Sequence, residues 1–200
     1  MSIASSMITS GRYKNVLLIG ADKMSSIVDY EDRATCIIFG DGAGAVLFEA
    51  SDSDFGWEDE YLRSDGSGRK YLNIKAGGSL LPTSRLTVEN KMHNLYQDGK
   101  TVFKYAVSRM SDATEQIIKR NKIDPKKIAY LVPHQANSRI IDATAKRINL
   151  PTEKVMRNIE KYGNTTAATL PLLLKDYEKK LRPGDKLIFA AFGGGFTWGA

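Results

Sequence analysis

Three places in the chain set a hydrogen-bond donor at the end of an element. His134 stands in AYLVPHQANSRI, straight after a run that closes on Pro133. Asn164 stands in YGNTTAATLP, behind Gly163 and ahead of a helical pattern. Gly193, Gly194 and Gly195 stand in AFGGGFTWGA, after the last apolar run. Taken singly, each has a plain structural reading: a satisfied histidine, a helix cap, a tight turn. Taken together they offer two side-chain N–H donors and a backbone N–H, none with a formal charge. An enolate or a tetrahedral oxyanion requires that set. In open α/β sheets such groups gather where strands stop and helices begin.

The elements that would position them follow from apolar spacing. Ile3, Met7 and Ile8, with Ala4 alongside, predict a short helix stopped by Gly11. NVLLIGA predicts a buried strand. ATCIIFGDGAGAVLFEA predicts a strand–turn–strand hairpin whose glycines supply positive φ and close backbone approach. That glycine cluster fails as a dinucleotide motif. Gly40 and Gly42 fit G-x-G-x-x-G, but Ala45 takes the third position and a strand pattern follows. Residues 51–98 are polar and irregular, suited to an edge strand or two with long loops at a joint between halves. From Gly99 the repeat Val102, Phe103, Ala106, Val107, Met110, Ala113, Ile117, Ile118 predicts a long amphipathic helix ending near Asn121. IAYLV predicts a buried strand, and SRIIDATAKRINL a helix capped by Ser138. EKVMRNIEKYGN is a short element stopped at Gly163. TTAATLPLLLKDYEKKL is a helix with Pro171 tolerated early, and KLIFAAFGGGF a final strand. Strands and helices alternate, which predicts an α/β fold with a layered sheet.

Composition narrows the function classes. The chain has 200 residues, 42% of them apolar and 26% charged, so a folded core is expected rather than disorder. Cys36 is the one cysteine, which rules out an internal disulfide and points to a reducing cytoplasmic setting. Neither a signal-peptide pattern nor an apolar run of membrane-spanning length is present. The net charge of +6 is spread among acids. Arg139, Lys146, Arg147 and Lys154 are the places to look for an acidic partner. No zinc spacing or RNA-binding signature argues for nucleic acid, and no metal site is expected.

LVPHQANSRI, YGNTTAATLPLLL, RATCIIFGDGAGAVLFEA and AFGGGFTWGA together resemble the signature segments of 3-ketoacyl-(acyl carrier protein) synthase III. This family initiates bacterial fatty-acid synthesis and belongs to the thiolase-fold superfamily. The resemblance covers essentially the whole chain, with the segments in the right order. It implies a thiolase-like layered αβαβα fold, with residues 1–53 as the tail of the first half and 54–200 as most of the second. Within the latter, 54–98 would form the loop-rich joint. His134 and Asn164 match the family's catalytic pair, and Gly194 the oxyanion-hole N–H. Arg33 and Asn137 match coenzyme A contacts. Gln135, Ala136, Asn137, Ser138 and Arg139 match the carrier-protein-binding stretch. The implied partners are acyl-CoA and malonyl-acyl carrier protein, with the CoA thioester as substrate and no resident cofactor. No nucleic acid or membrane is implied. Family members are homodimers, an assembly not carried over to this chain.

The family reaction passes through an acylated cysteine. By the match to SIASSMITSG, that cysteine would lie roughly two helical turns before Met1. Cys36 is not its replacement: flanked by Ile37, Ile38 and Phe39, it is expected to be a structural thiol within a strand. The last strand after the glycine-rich exit is expected to be missing. The chain is therefore read as an N-terminally truncated stretch that does not by itself complete the condensation. Two further readings stand beside this one. One is a truncated, non-catalytic paralogue that binds acyl carrier protein; the other is a starter condensing enzyme of secondary metabolism.

Overall fold

A computed structural model describes all 200 residues, Met1–Ala200. Its centre is a mixed four-stranded sheet in the order β3 (Leu62–Ser64), β8 (Thr197–Gly199), β7 (Lys186–Gly193), β6 (Ile128–Pro133). β6 and β7 run parallel, as expected of apolar strands joined through helices; the other two pairings are antiparallel. Helix α3 (Gly99–Arg120) and helix α4 (Ser138–Arg147) cover one face. Met110, Leu131, Ile141 and Ile188 meet there in the main core. Helix α6 (Thr169–Tyr177) covers the other face, where Leu173 packs with Val132 and Met156. Burial on both faces explains why β6 reads as an unbroken apolar run rather than an alternation.

Beyond α6 lies a separate hairpin, β1 (Asn15–Asp22) with β2 (Gly42–Glu49), paired antiparallel from Asn15↔Glu49 to Asp22↔Gly42. Helix α1 (Ser2–Thr9) packs against it. The layer order is thus helix, sheet, helix, hairpin, in agreement with the α/β expectation. A third pair, β4 (Leu72–Ile74) with β5 (Leu95–Gln97), lies in the irregular segment, where an edge strand or two was expected, together with a five-residue helix α2 (Arg85–Glu89) that was not. No helix is long and apolar enough to cross a membrane.

The structure corrects several local expectations. Residues 34–39 do not form a strand. Asp32 accepts from Ala34 N at 2.9 Å and from Thr35 Oγ1 at 2.7 Å, which closes a helical turn instead. The partner of β2 is therefore β1, and Cys36 is half-buried on that turn rather than in a strand. The cap of α4 is Asn137, whose side chain accepts from Arg139 N; Ser138 is the first helical residue. A three-residue strand, β8, does follow the glycine-rich exit, where none was expected. β1 is also less buried than its apolar content implies, because only one of its faces is packed.

Candidate functional site

The glycines of the hairpin explain where Asn164 sits. Gly20 and Gly44 are cross-strand partners on the packed face of the hairpin, with Gly42 opposite Asp22 beside them. A Cβ on Gly20 would lie 2.3 Å from the Ala167 carbonyl oxygen, and one on Gly44 2.6 Å from Pro171 Cβ. A Cβ on Gly40 would lie 2.2 Å from the Tyr162 carbonyl oxygen. None of the three has a positive φ. Close backbone approach alone requires them, and the segment 162–171 is what approaches.

Asn164 is consequently fixed by main chain on both sides. Its N–H donates to the Ile38 carbonyl and its carbonyl accepts from Gly40 N, both at 3.0 Å. Its Oδ1 accepts from Thr166 N at 3.0 Å. The Nδ2 amide is left without a protein partner, and the residue lines a cavity. Helix α5 (Ile159–Tyr162) ends at Gly163, whose φ of 67° turns the chain into this position.

His134, just past the end of β6, lines the same cavity. Its N–H extends the β6–β7 ladder by donating to Ala190 at 2.7 Å. Its ring lies deep in the protein while keeping an edge on the cavity. Burial alone pushes its pKa down to about 4, and no charge or hydrogen bond contributes. At neutral pH the imidazole is uncharged, so one ring nitrogen carries a proton to donate.

Gly194 supplies the third donor. The turn between β7 and β8 is anchored by Phe196, which is 1% exposed and packs on Phe192 at 4.8 Å and Tyr105 at 5.1 Å between ring centroids. Gly195 has a φ of 137°, which only glycine adopts without strain. The Gly194 N–H donates to no protein acceptor and the residue lines the cavity. His134, Asn164 and Gly194 thus converge on one cavity of about 1530 Å³, walled mainly by apolar side chains such as Phe103, Leu170, Phe189 and Trp57. That exceeds the roughly 300–1,000 Å³ of most small-ligand sites. Three uncharged donors around a largely apolar space suit the stabilisation of developing negative charge on oxygen.

The remaining candidates divide. Ala136, Asn137 and Arg139 line the cavity, Ser138 is exposed, and Arg139 lies over the Phe103 ring at 5.3 Å. Gln135 is withdrawn as a carrier-protein contact. It is 1% exposed and its amide donates to the Pro133 and Met156 carbonyls while accepting from Asn158 N and Ile159 N. Arg33 is exposed on the turn after Asp32 and does not line the cavity. Cys36 does not line it either. Within the basic patch, Arg147 is spent on Asp112 at 2.8 Å and Glu115 at 2.9 Å. Sequence reasoning missed Asp22, a carboxylate at the end of β1 that lines the cavity and bonds the 162–171 segment.

Comparison with known proteins points to one family. Residues 1–66 match the family described as 3-Oxoacyl-[acyl-carrier-protein (ACP)] synthase III, and residues 118–200 match its C-terminal part. The beta-ketoacyl-[acyl-carrier-protein] synthase III of Phocaeicola vulgatus is 59% identical over all 200 residues, which correspond to 60% of that relative. The enzyme of the same name from Porphyromonas gingivalis is 50% identical over the same span. Among solved structures, the synthase III of Thermus thermophilus superposes with a TM-score of 0.89 at 39% identity, covering 99% of this chain and 61% of that one. The chain therefore spans about 60% of the length of the relatives it matches.

Proposed function

Because the chain belongs to the 3-oxoacyl-[acyl-carrier-protein] synthase III family, we propose that its three donors serve the decarboxylative condensation of a starter acyl-CoA with malonyl-acyl carrier protein. This would be the step that starts fatty acid synthesis. The malonyl thioester loses its carboxylate as carbon dioxide, and the bonding pair stays behind on Cα as an enolate. His134 and Asn164 donate to the thioester oxygen as that charge develops. Neither donor is charged, so neither holds the departing carboxylate as a counter-ion would. The enolate carbon then attacks the starter's acyl carbonyl. Gly194 N–H receives the resulting oxyanion, and the acyl group's sulfur leaves. The thioester is substrate, and no step calls on a resident cofactor.

One observation carries the reading: an uncharged His134 and the unpartnered Asn164 amide face a single apolar cavity. Arg139 at the cavity rim and exposed Lys146 would meet the acidic carrier protein, in place of the patch that included Arg147. The test is carbon dioxide release from a malonyl thioester by the protein expressed from its complete reading frame. His134→Ala and Asn164→Ala should each lower the rate about 10²–10³-fold, the usual loss for one such donor. Wild-type rates in both variants would overturn the assignment.

A further inference from the structure

We infer that Asp22 is the positioning residue for Asn164, acting across the boundary between the hairpin and the segment that carries the donor. The inference rests on the function proposed above. Asp22 closes β1 on the packed face of the hairpin, and one of its oxygens does all the work. Oδ2 accepts from Thr166 Oγ1 at 2.5 Å and from Ala167 N at 2.9 Å. Thr166 in turn donates its N–H to Asn164 Oδ1 at 3.0 Å. The chain of bonds is thus carboxylate, threonine, catalytic amide. It leaves Asn164 one free group, Nδ2, and orients it by occupying the other.

The backbone shows why an external anchor is needed. Thr166 has a φ of 48°, a left-handed conformation that a β-branched residue adopts only at a cost. A threonine in this region relaxes unless its surroundings hold it. The carboxylate grips its hydroxyl and the next N–H together, the two groups whose direction would change most if φ returned to negative values. The bare backbone contact below, where Gly20 lies under the Ala167 carbonyl, sets the height of the segment but not its twist. Asp22 supplies the twist.

The experiment measures kcat and KM for malonyl-thioester decarboxylation by the protein from its complete reading frame, with melting temperature as control. Asp22→Ala should lower kcat by about tenfold or more with KM little changed, since misplacing a catalytic group by about 1 Å can cost 10²-fold. Asp22→Asn should keep most of the rate, because its single amide oxygen can accept both bonds. In an Asn164→Ala background, Asp22→Ala should cause no further loss, since the group it positions is gone. A merely structural aspartate would lower both backgrounds by the same factor, and that result would overturn the inference. So would a wild-type kcat in Asp22→Ala. If Asp22→Ala does not fold, Thr166→Ala removes only the middle link. It should show the same kcat loss in the wild-type background and none in Asn164→Ala; equal losses in both would count against the inference. Failure of the underlying reading looks different: wild type itself would release no carbon dioxide, or Asn164→Ala would leave the rate unchanged, and both claims would fall together.

Discussion

Ile128, Leu131 and Val132 of β6 have no exposed surface, whereas Leu17 and Ile19 of β1 are 59% and 63% exposed. Both strands end in the donor cavity, one at His134 and the other at Asp22. β6 is clamped between α3 and α4 on one side and α6 on the other. The hairpin is packed on one side only, with Leu17, Ile19 and Leu47 bare on the other. The two donors proposed for catalysis therefore rest on supports of different kinds. His134 hangs from the most buried strand of the molecule and is steadied by side-chain packing and the Gln135 amide. Asn164 lies on a thin hairpin and is steadied by main-chain contact at glycine.

Three measurements break or sharpen that contrast. The largest effect is expected for Gln135→Ala. It strands two carbonyls and two N–H groups in a site that is 1% exposed, at about 1–3 kcal/mol for each group not recovered by water. Chemical denaturation should show a loss of roughly 4 kcal/mol; a loss below about 1 kcal/mol would mean that the β6 exit is not held as described. Next comes Gly20→Ala. Its methyl would meet the Ala167 carbonyl at 2.3 Å, so strand and segment must part, at about 1–3 kcal/mol. Decarboxylation should fall more than stability does, because the segment that moves carries Asn164. Unchanged kcat with a lowered melting temperature would sink the idea that the hairpin sets the donor's place.

The smallest effect is a slope. His134 has a folded pKa of about 4 against an ordinary 6.5, so below pH 6.5 the unfolded chain takes up a proton that the folded one refuses. The stability this histidine allows is fully present above pH 6.5 and is lost as pH falls through that window towards 4. Comparing wild type with His134→Gln across it isolates the contribution. Parallel curves would show that the ring is not held neutral by burial.

The same contrast explains what could be read in advance. α3, β6 and β7 announce themselves because one contiguous core imposes a period on each, and His134 and Gly194 follow from where those strands stop. The hairpin was misdrawn for two reasons. CIIF has the composition of a strand, yet Asp32 folds it into a turn through contacts of two and three residues. The glycines that suggested a turn answer instead to a segment more than a hundred residues later. Gln135 was assigned to a carrier-protein contact by resemblance alone, but its amide is a buried splice between β6 and the start of α5. Asp22 left no local signal at all, since its partner lies 144 residues away.

The row of Gly20, Gly42 and Gly44 has a consequence for how such a protein changes over time. At Gly20 the contact is backbone on backbone, whose dimensions are the same in every sequence, while Gly42 meets the Thr165 and Ala168 side chains and Gly44 meets Pro171. Substitutions along the apolar wall, at positions such as Phe103 or Leu170, can reshape the cavity while that seat stays the same. The shape of the cavity is free to drift; the seat of Asn164 is not.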